Sequence, residues 1–146
     1  MDKHLHALFP GAGIKRPAII ETSFANEAAC TVAKNFYAGL LGTAPAAAKP
    51  PYLFEVAVEM AFVLTVSDDG TARTTIYWQL TDNTSDNLKK VYQELQDKHG
   101  CREIKGKGPH KPPFKNLLRD DTELCALLDP SGSVFGLVIN PPMPLA

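Results

Sequence analysis

The stretch Leu128-Asp129-Pro130-Ser131-Gly132-Ser133-Val134-Phe135-Gly136-Leu137 decides how this chain is read. Asp-Pro-Ser-Gly suits a tight turn, because proline presets φ and glycine enters φ > 0 without steric cost. Leu124 to Leu128 before it and Val134 to Ile139 after it read as strands, so the run is a turn feeding a last strand.

Working outward, residues 1–16 carry Pro10, Gly11 and Gly13 without a sustained period and read as an N-terminal arm. Ala18 to Phe24 is short and β-branched, suited to a strand. A helix follows, with Asn26 as its N-cap, Ala29, Val32, Ala33, Phe36 and Leu40 at helical spacing, and Gly42 at its stop. Phe36 and Leu40 are expected to pack onto a sheet. Thr43 to Pro51, rich in Ala and Pro, reads as a loop or a degraded strand. Tyr52 to Val58, Ala61 to Val66 and Thr74 to Leu80 read as strands, with a turn at Ser67-Asp68-Asp69-Gly70. A second helix is capped by Ser85 or Asp86, buries Leu88, Val91, Tyr92 and Leu95, and ends at Gly100. A strand near Arg102 to Lys105 and a loop from Gly106 to Phe114 complete the path back to Leu124.

Composition limits the function. A chain of 146 residues, 45% hydrophobic and 21% charged, has the size and make-up of one globular domain. A net charge of -1 leaves no basic field for a phosphate backbone, so nucleic acid is not an expected partner. No apolar run approaches the roughly 20 residues of a bilayer span, and Met1 to Phe9 is not a signal-peptide core. No membrane partner and a cytoplasmic location are expected. Cys30, Cys101 and Cys125 are odd in number and widely spaced, which argues for buried free thiols over a disulfide framework. Cys30 lies near a helix start, where a lowered thiol pKa would make it reactive; the core role is favoured.

Three local matches carry a family resemblance. Ala33-Lys34-Asn35-Phe36-Tyr37-Ala38-Gly39-Leu40-Leu41-Gly42 is similar to the first helix of the vicinal oxygen chelate superfamily, which includes glyoxalase I, the bleomycin-resistance proteins and extradiol dioxygenases. Leu95-Gln96-Asp97-Lys98-His99-Gly100 resembles the end of its second helix, and Asp129 to Leu137 its last turn and strand. The resemblance covers about residues 17–140. It implies an α+β fold in which two βαβββ modules, about 17–70 and 71–140 of a single domain 17–146, form a curved mixed sheet with the helices on the outer face. Ile20, Trp78, Leu80, Phe135 and Leu137 would then lie under the helices, while Glu21, Thr75, Tyr77, Gln79 and Gly136 point into a concave cup.

In the metal-dependent members, inward residues of four strands hold a metal. The matching positions here are Glu21, about Val63, about Thr75 and Gly136. Only Glu21 is a usable ligand, where a catalytic centre needs about three. His4 and His6 fall in the arm, His99 at a helix end and His110 in a Lys/Pro-rich loop, so none completes the set. Gly106 to Pro113 lacks the strand–loop–helix context of a phosphate cradle, though its lysines could form a positive rim. No metal and no cofactor are expected. Glu21, Thr75, Tyr77 and Gln79 are the candidate ligand-binding set, since Tyr stacks and donates while Gln both donates and accepts. Glu55 and Glu59 could add an acidic wall.

Three readings follow. The first is a metal-free small-molecule binding protein similar to the bleomycin-resistance branch, for which the resemblance implies a possible homodimer. The second is a glyoxalase- or dioxygenase-type lyase or isomerase, with Glu21 as catalytic metal ligand or general base. The third is a partner-binding module whose cup is occluded.

Overall fold

Alternating apolar residues in the strands and two amphipathic helices build the fold of the computed structural model, which describes residues 13–57, 60–104 and 114–141. Six strands and two helices follow one another as β1 (Ile14–Phe24), α1 (Glu27–Leu41), β2 (Tyr52–Ala57), β3 (Met60–Val66), β4 (Arg73–Leu80), α2 (Ser85–His99), β5 (Glu123–Leu128) and β6 (Val134–Ile139). The strands form one open mixed sheet in the order β2-β3-β1-β4-β6-β5. β1 and β4 are antiparallel neighbours at its centre. Each also runs parallel to the second strand after its helix, β1 with β3 and β4 with β6, and each half closes with an antiparallel hairpin.

Among the described residues each half holds a strand, a helix and two more strands, one strand fewer than the expected βαβββ module, and two local details also differ from the sequence reading. β1 begins at Ile14, inside the stretch read as an arm, and Gly13 accepts a hydrogen bond from the Thr81 amide. Its register slips on both sides of Pro17, which lacks the N–H that regular pairing needs and therefore sits at an irregularity. The strand read near Arg102 is a single bridge to Leu128. The arm with His4 and His6, Glu59, and the loop with His110 lie outside the described residues.

Both helices cover one face. Along α2, Leu88, Val91, Tyr92 and Leu95 pack on Leu80, Cys125, Leu127, Leu137 and Ile139. Along α1, Cys30, Ala33 and Tyr37 pack on Tyr52, Phe54, Phe62 and Leu64. Fully burying a Leu-sized side chain contributes roughly 1.5–3 kcal/mol, so these two layers supply much of the stability. Phe36 and Leu40, expected on the sheet, are instead 62% and 66% exposed. Trp78 is half-buried. Among the described residues no helix is long and apolar enough to cross a membrane.

The hairpin between β5 and β6 confirms the turn reading. The Gly132 amide donates to Asp129 O, Gly132 has φ 94°, and the Asp129 carboxylate accepts from the Ser131 and Ser133 amides at 2.8 and 3.0 Å.

Candidate functional site

The helix-free face is where the sequence reading gathers its candidates, and strand register decides how they meet. Glu21 on β1 stands opposite Val63 on one side and Thr75 on the other. Directly paired residues share a face, so three of the four metal-ligand positions lie side by side as Val63, Glu21 and Thr75. The next row reads Ala61, Ile19, Tyr77, Gly136 and Ala126 across five strands. Gln79 stands one row further on, opposite Val138.

Glu21 is held by two hydroxyls. Thr65 Oγ1 donates to Glu21 Oε2 at 2.7 Å and the Tyr77 hydroxyl donates to Oε1 at 3.2 Å. Burial, and then the adjacent Glu21 carboxylate, push the Tyr77 phenol well above its ordinary pKa, so it stays protonated as the donor. Gln79 is buried, accepts from Arg16 Nε at 3.3 Å and donates to Asn83 Oδ1 at 3.4 Å. Thr75 is buried in the same face. The structure thus places Glu21, Thr75, Tyr77 and Gln79 on one face, with Glu21 and Tyr77 in direct contact.

Tyr77 determines what the centre of this face can hold. Its ring lies on Gly136, where a Cβ would fall 2.0 Å from a Tyr77 ring carbon. Phe114 stands edge-on to Tyr77, with ring centroids 5.6 Å apart, and Leu118 joins the same apolar cluster. Phe114 and Leu118 come from a segment around the 3-10 turn Lys115–Leu117. Sequence reasoning missed both, and it missed Thr65. The i, i+4 spacing of Phe114 and Leu118 was the available signal.

A metal of the family type does not fit these residues. Glu21 brings one carboxylate, Val63 and Gly136 bring no donor, and the Tyr77 ring fills the space in which a longer residue at 136 would reach inward. Among the described residues no group of three His, Cys, Asp or Glu side chains could hold a metal ion.

Open space lies instead at the β2 edge. A cavity of about 420 Å³ is lined by Leu53 and Glu55 of β2, the loop from Thr43 to Ala47, and Leu117. Leu53 and Glu55 pair with Val63 and Ala61, which puts them on the same helix-free face. Cys30 is not reactive by geometry: it is buried, and desolvation followed by Glu27 raises its thiol to about 11.

No family model and no curated protein matches the chain. Solved structures do. One described as an NAD-dependent benzaldehyde dehydrogenase from Legionella pneumophila superposes with a TM-score of 0.53 at 15% identity, over 83% of this chain and 96% of that one. A variant of homoprotocatechuate 2,3-dioxygenase from B. fuscum gives 0.63 at 20% identity, over 93% of this chain and 35% of that one. The same Brevibacterium fuscum enzyme with 3,4-dihydroxyphenylacetate also gives 0.63 at 20% identity, over 93% and 40%. This chain therefore spans well under half the length of the dioxygenase chains it resembles. At such identities the likeness concerns the fold alone: the chain has a fold like that of these extradiol dioxygenase chains.

Proposed function

We propose that this protein binds a small molecule without a metal, in the manner of the bleomycin-resistance branch of the fold, and does so in the cytoplasm. The observation that carries this reading is the Tyr77 ring seated on Gly136, which takes the place of an inward donor. The two halves of the sheet, each a strand, a helix and a hairpin, are read as the family's paired modules, each short of one edge strand. The ligand would sit in the cavity at the β2 edge, with Leu53 and Leu117 as apolar walls and Glu55 as the acidic group. Such a site suits an apolar molecule carrying a cationic or hydrogen-bond-donating group.

Metal analysis of protein purified without chelator tests this. The expected content is far below one metal per chain; near-stoichiometric zinc, nickel or iron would overturn the reading. Native mass spectrometry of fresh protein adds the ligand side, and Leu53→Trp is expected to abolish any bound small molecule by filling the cavity. The enzymatic alternative centres on Glu21, where a carboxylate meets a protonated phenol. Under it, Glu21→Gln would abolish any lyase or isomerase activity detected; an unchanged rate removes that role.

A further inference from the structure

Residues 114–118 touch two places at once. Inward, Phe114 is fully buried and Leu118 nearly so, and both join Ile19, Val63 and Tyr77 in the apolar cluster of the helix-free face. Outward, Leu117 is 40% exposed and forms one wall of the cavity at the β2 edge. At about 3.0 residues per turn, adjacent residues of a 3-10 turn diverge by about 120°, so Leu118 can face the sheet while Leu117 faces the cavity. Leu53 serves both places, since it packs against the Tyr77 cluster and lines the cavity.

Side chains hold this segment in place. Among the described residues its backbone hydrogen bonds stay inside the turn, from the Leu117 amide to Phe114 O at 3.0 Å and from the Leu118 amide to Lys115 O at 3.1 Å. A strand is fixed by a ladder of such bonds to its neighbours, whereas this segment rests on its two buried anchors. Segments held in this way open locally at a free energy below that of global unfolding. Opening would remove two things together. The cavity would lose its Leu117 wall, and Tyr77, whose hydroxyl donates to Glu21, would lose the Phe114 ring that stands edge-on to it.

We propose that Phe114 is a positioning residue for the ligand site. Seated against Tyr77, it sets Leu117 along the cavity, so a ligand bound there and the cover over the Glu21–Tyr77 pair stabilise each other. This rests on reading the β2-edge cavity as the ligand site. A ligand touches Leu117 only while Phe114 is seated, so it favours that state. By the same linkage, whatever unseats Phe114 weakens the ligand. The ligand class is the one that Leu53, Leu117 and Glu55 fit, an apolar organic monocation.

Titration of the full chain with auramine O, an apolar aromatic cation that fluoresces when held rigid, tests it. The parent should bind the dye, and Leu53→Trp, which fills the cavity, should abolish binding. Phe114→Ala should raise Kd at least about tenfold, and Phe114→Leu, which keeps an apolar anchor, should return it to within about threefold of the parent. Leu127→Ala opens the core under α2 at a similar cost in stability and should leave Kd unchanged. In the unaltered protein, dye at about ten times Kd should slow hydrogen exchange of the Leu117 and Leu118 amides by about tenfold, a readout that stands even if Phe114→Ala does not fold. No dye bound by the parent, or binding indifferent to Leu53→Trp, overturns the ligand reading and this proposal with it. Binding at the cavity that Leu127→Ala weakens as much as Phe114→Ala, that Phe114→Ala leaves alone or Phe114→Leu fails to restore, or that leaves both amides unchanged, overturns the role of Phe114 alone.

Discussion

Gly136 shows at one residue how a sheet position is decided by its neighbour. Strand parity places it and Tyr77 on the same face, and register makes them direct partners. That the ring occupies the space over the glycine is a consequence of packing between two strands. Gly136→Ala is expected to cost about 1–3 kcal/mol in urea unfolding, because the added methyl meets a buried ring. Combined with Tyr77→Ala, the loss should fall short of the sum of the single losses; strict additivity would show that the two residues do not share that space. Asp129 makes a second prediction, in pH. The Ser131 hydroxyl, and then the Ser133 amide, lower its carboxyl pKa in the folded protein. A lowered folded value stabilises the protein above the unfolded value of about 4 and is lost as pH falls through the folded one. Unfolding midpoints measured from pH 6 to pH 2 should therefore fall less steeply in Asp129→Asn than in the parent.

Elements show where periodicity is informative and where it is not. The N-cap of α1 is legible: Asn26 Oδ1 accepts from the Ala29 amide at 2.8 Å, and Gly42 and Gly100 close the two helices with φ 71° and 76°. For α2 the cap is Thr84, one residue before the expected Ser85 and two before Asp86, and its hydroxyl accepts from the Asn87 amide at 3.2 Å. Thr84→Ala should cost about 1 kcal/mol and Asp86→Ala only a few tenths, read by thermal or urea unfolding. An equal loss from both would contradict the assignment. The face that α1 turns to the sheet is not encoded in its period, for a physical reason. Its sequence has two apolar stripes, Cys30-Ala33-Tyr37 and Val32-Phe36-Leu40, and helical spacing cannot say which one meets the sheet. The inward stripe combines two small residues with Tyr37, whose ring meets Phe62 edge-on at 4.8 Å between centroids.

Across the whole molecule, burial decides the chemistry of groups that sequence leaves open. All three cysteines are buried and free, and desolvation is the largest cause raising each thiol, Cys30 to about 11 and Cys125 to about 12. At pH 8 the native protein should react negligibly with an aromatic disulfide reagent and release three thiol equivalents once denatured. Fast reaction of one native thiol would show an opening that this fold does not contain. The sequence by itself determined the two helices, the turn at Asp129 to Gly132, and the common face of Thr75, Tyr77 and Gln79 along β4, because these depend on local backbone geometry and the two-residue period of a strand. Only the tertiary structure decided that Tyr77 covers Gly136, that Phe114 and Leu118 pack over that face, and that the Val32-Phe36-Leu40 ridge is left outside. Those outcomes depend on which volumes meet across strands far apart in the chain, and no local period encodes them.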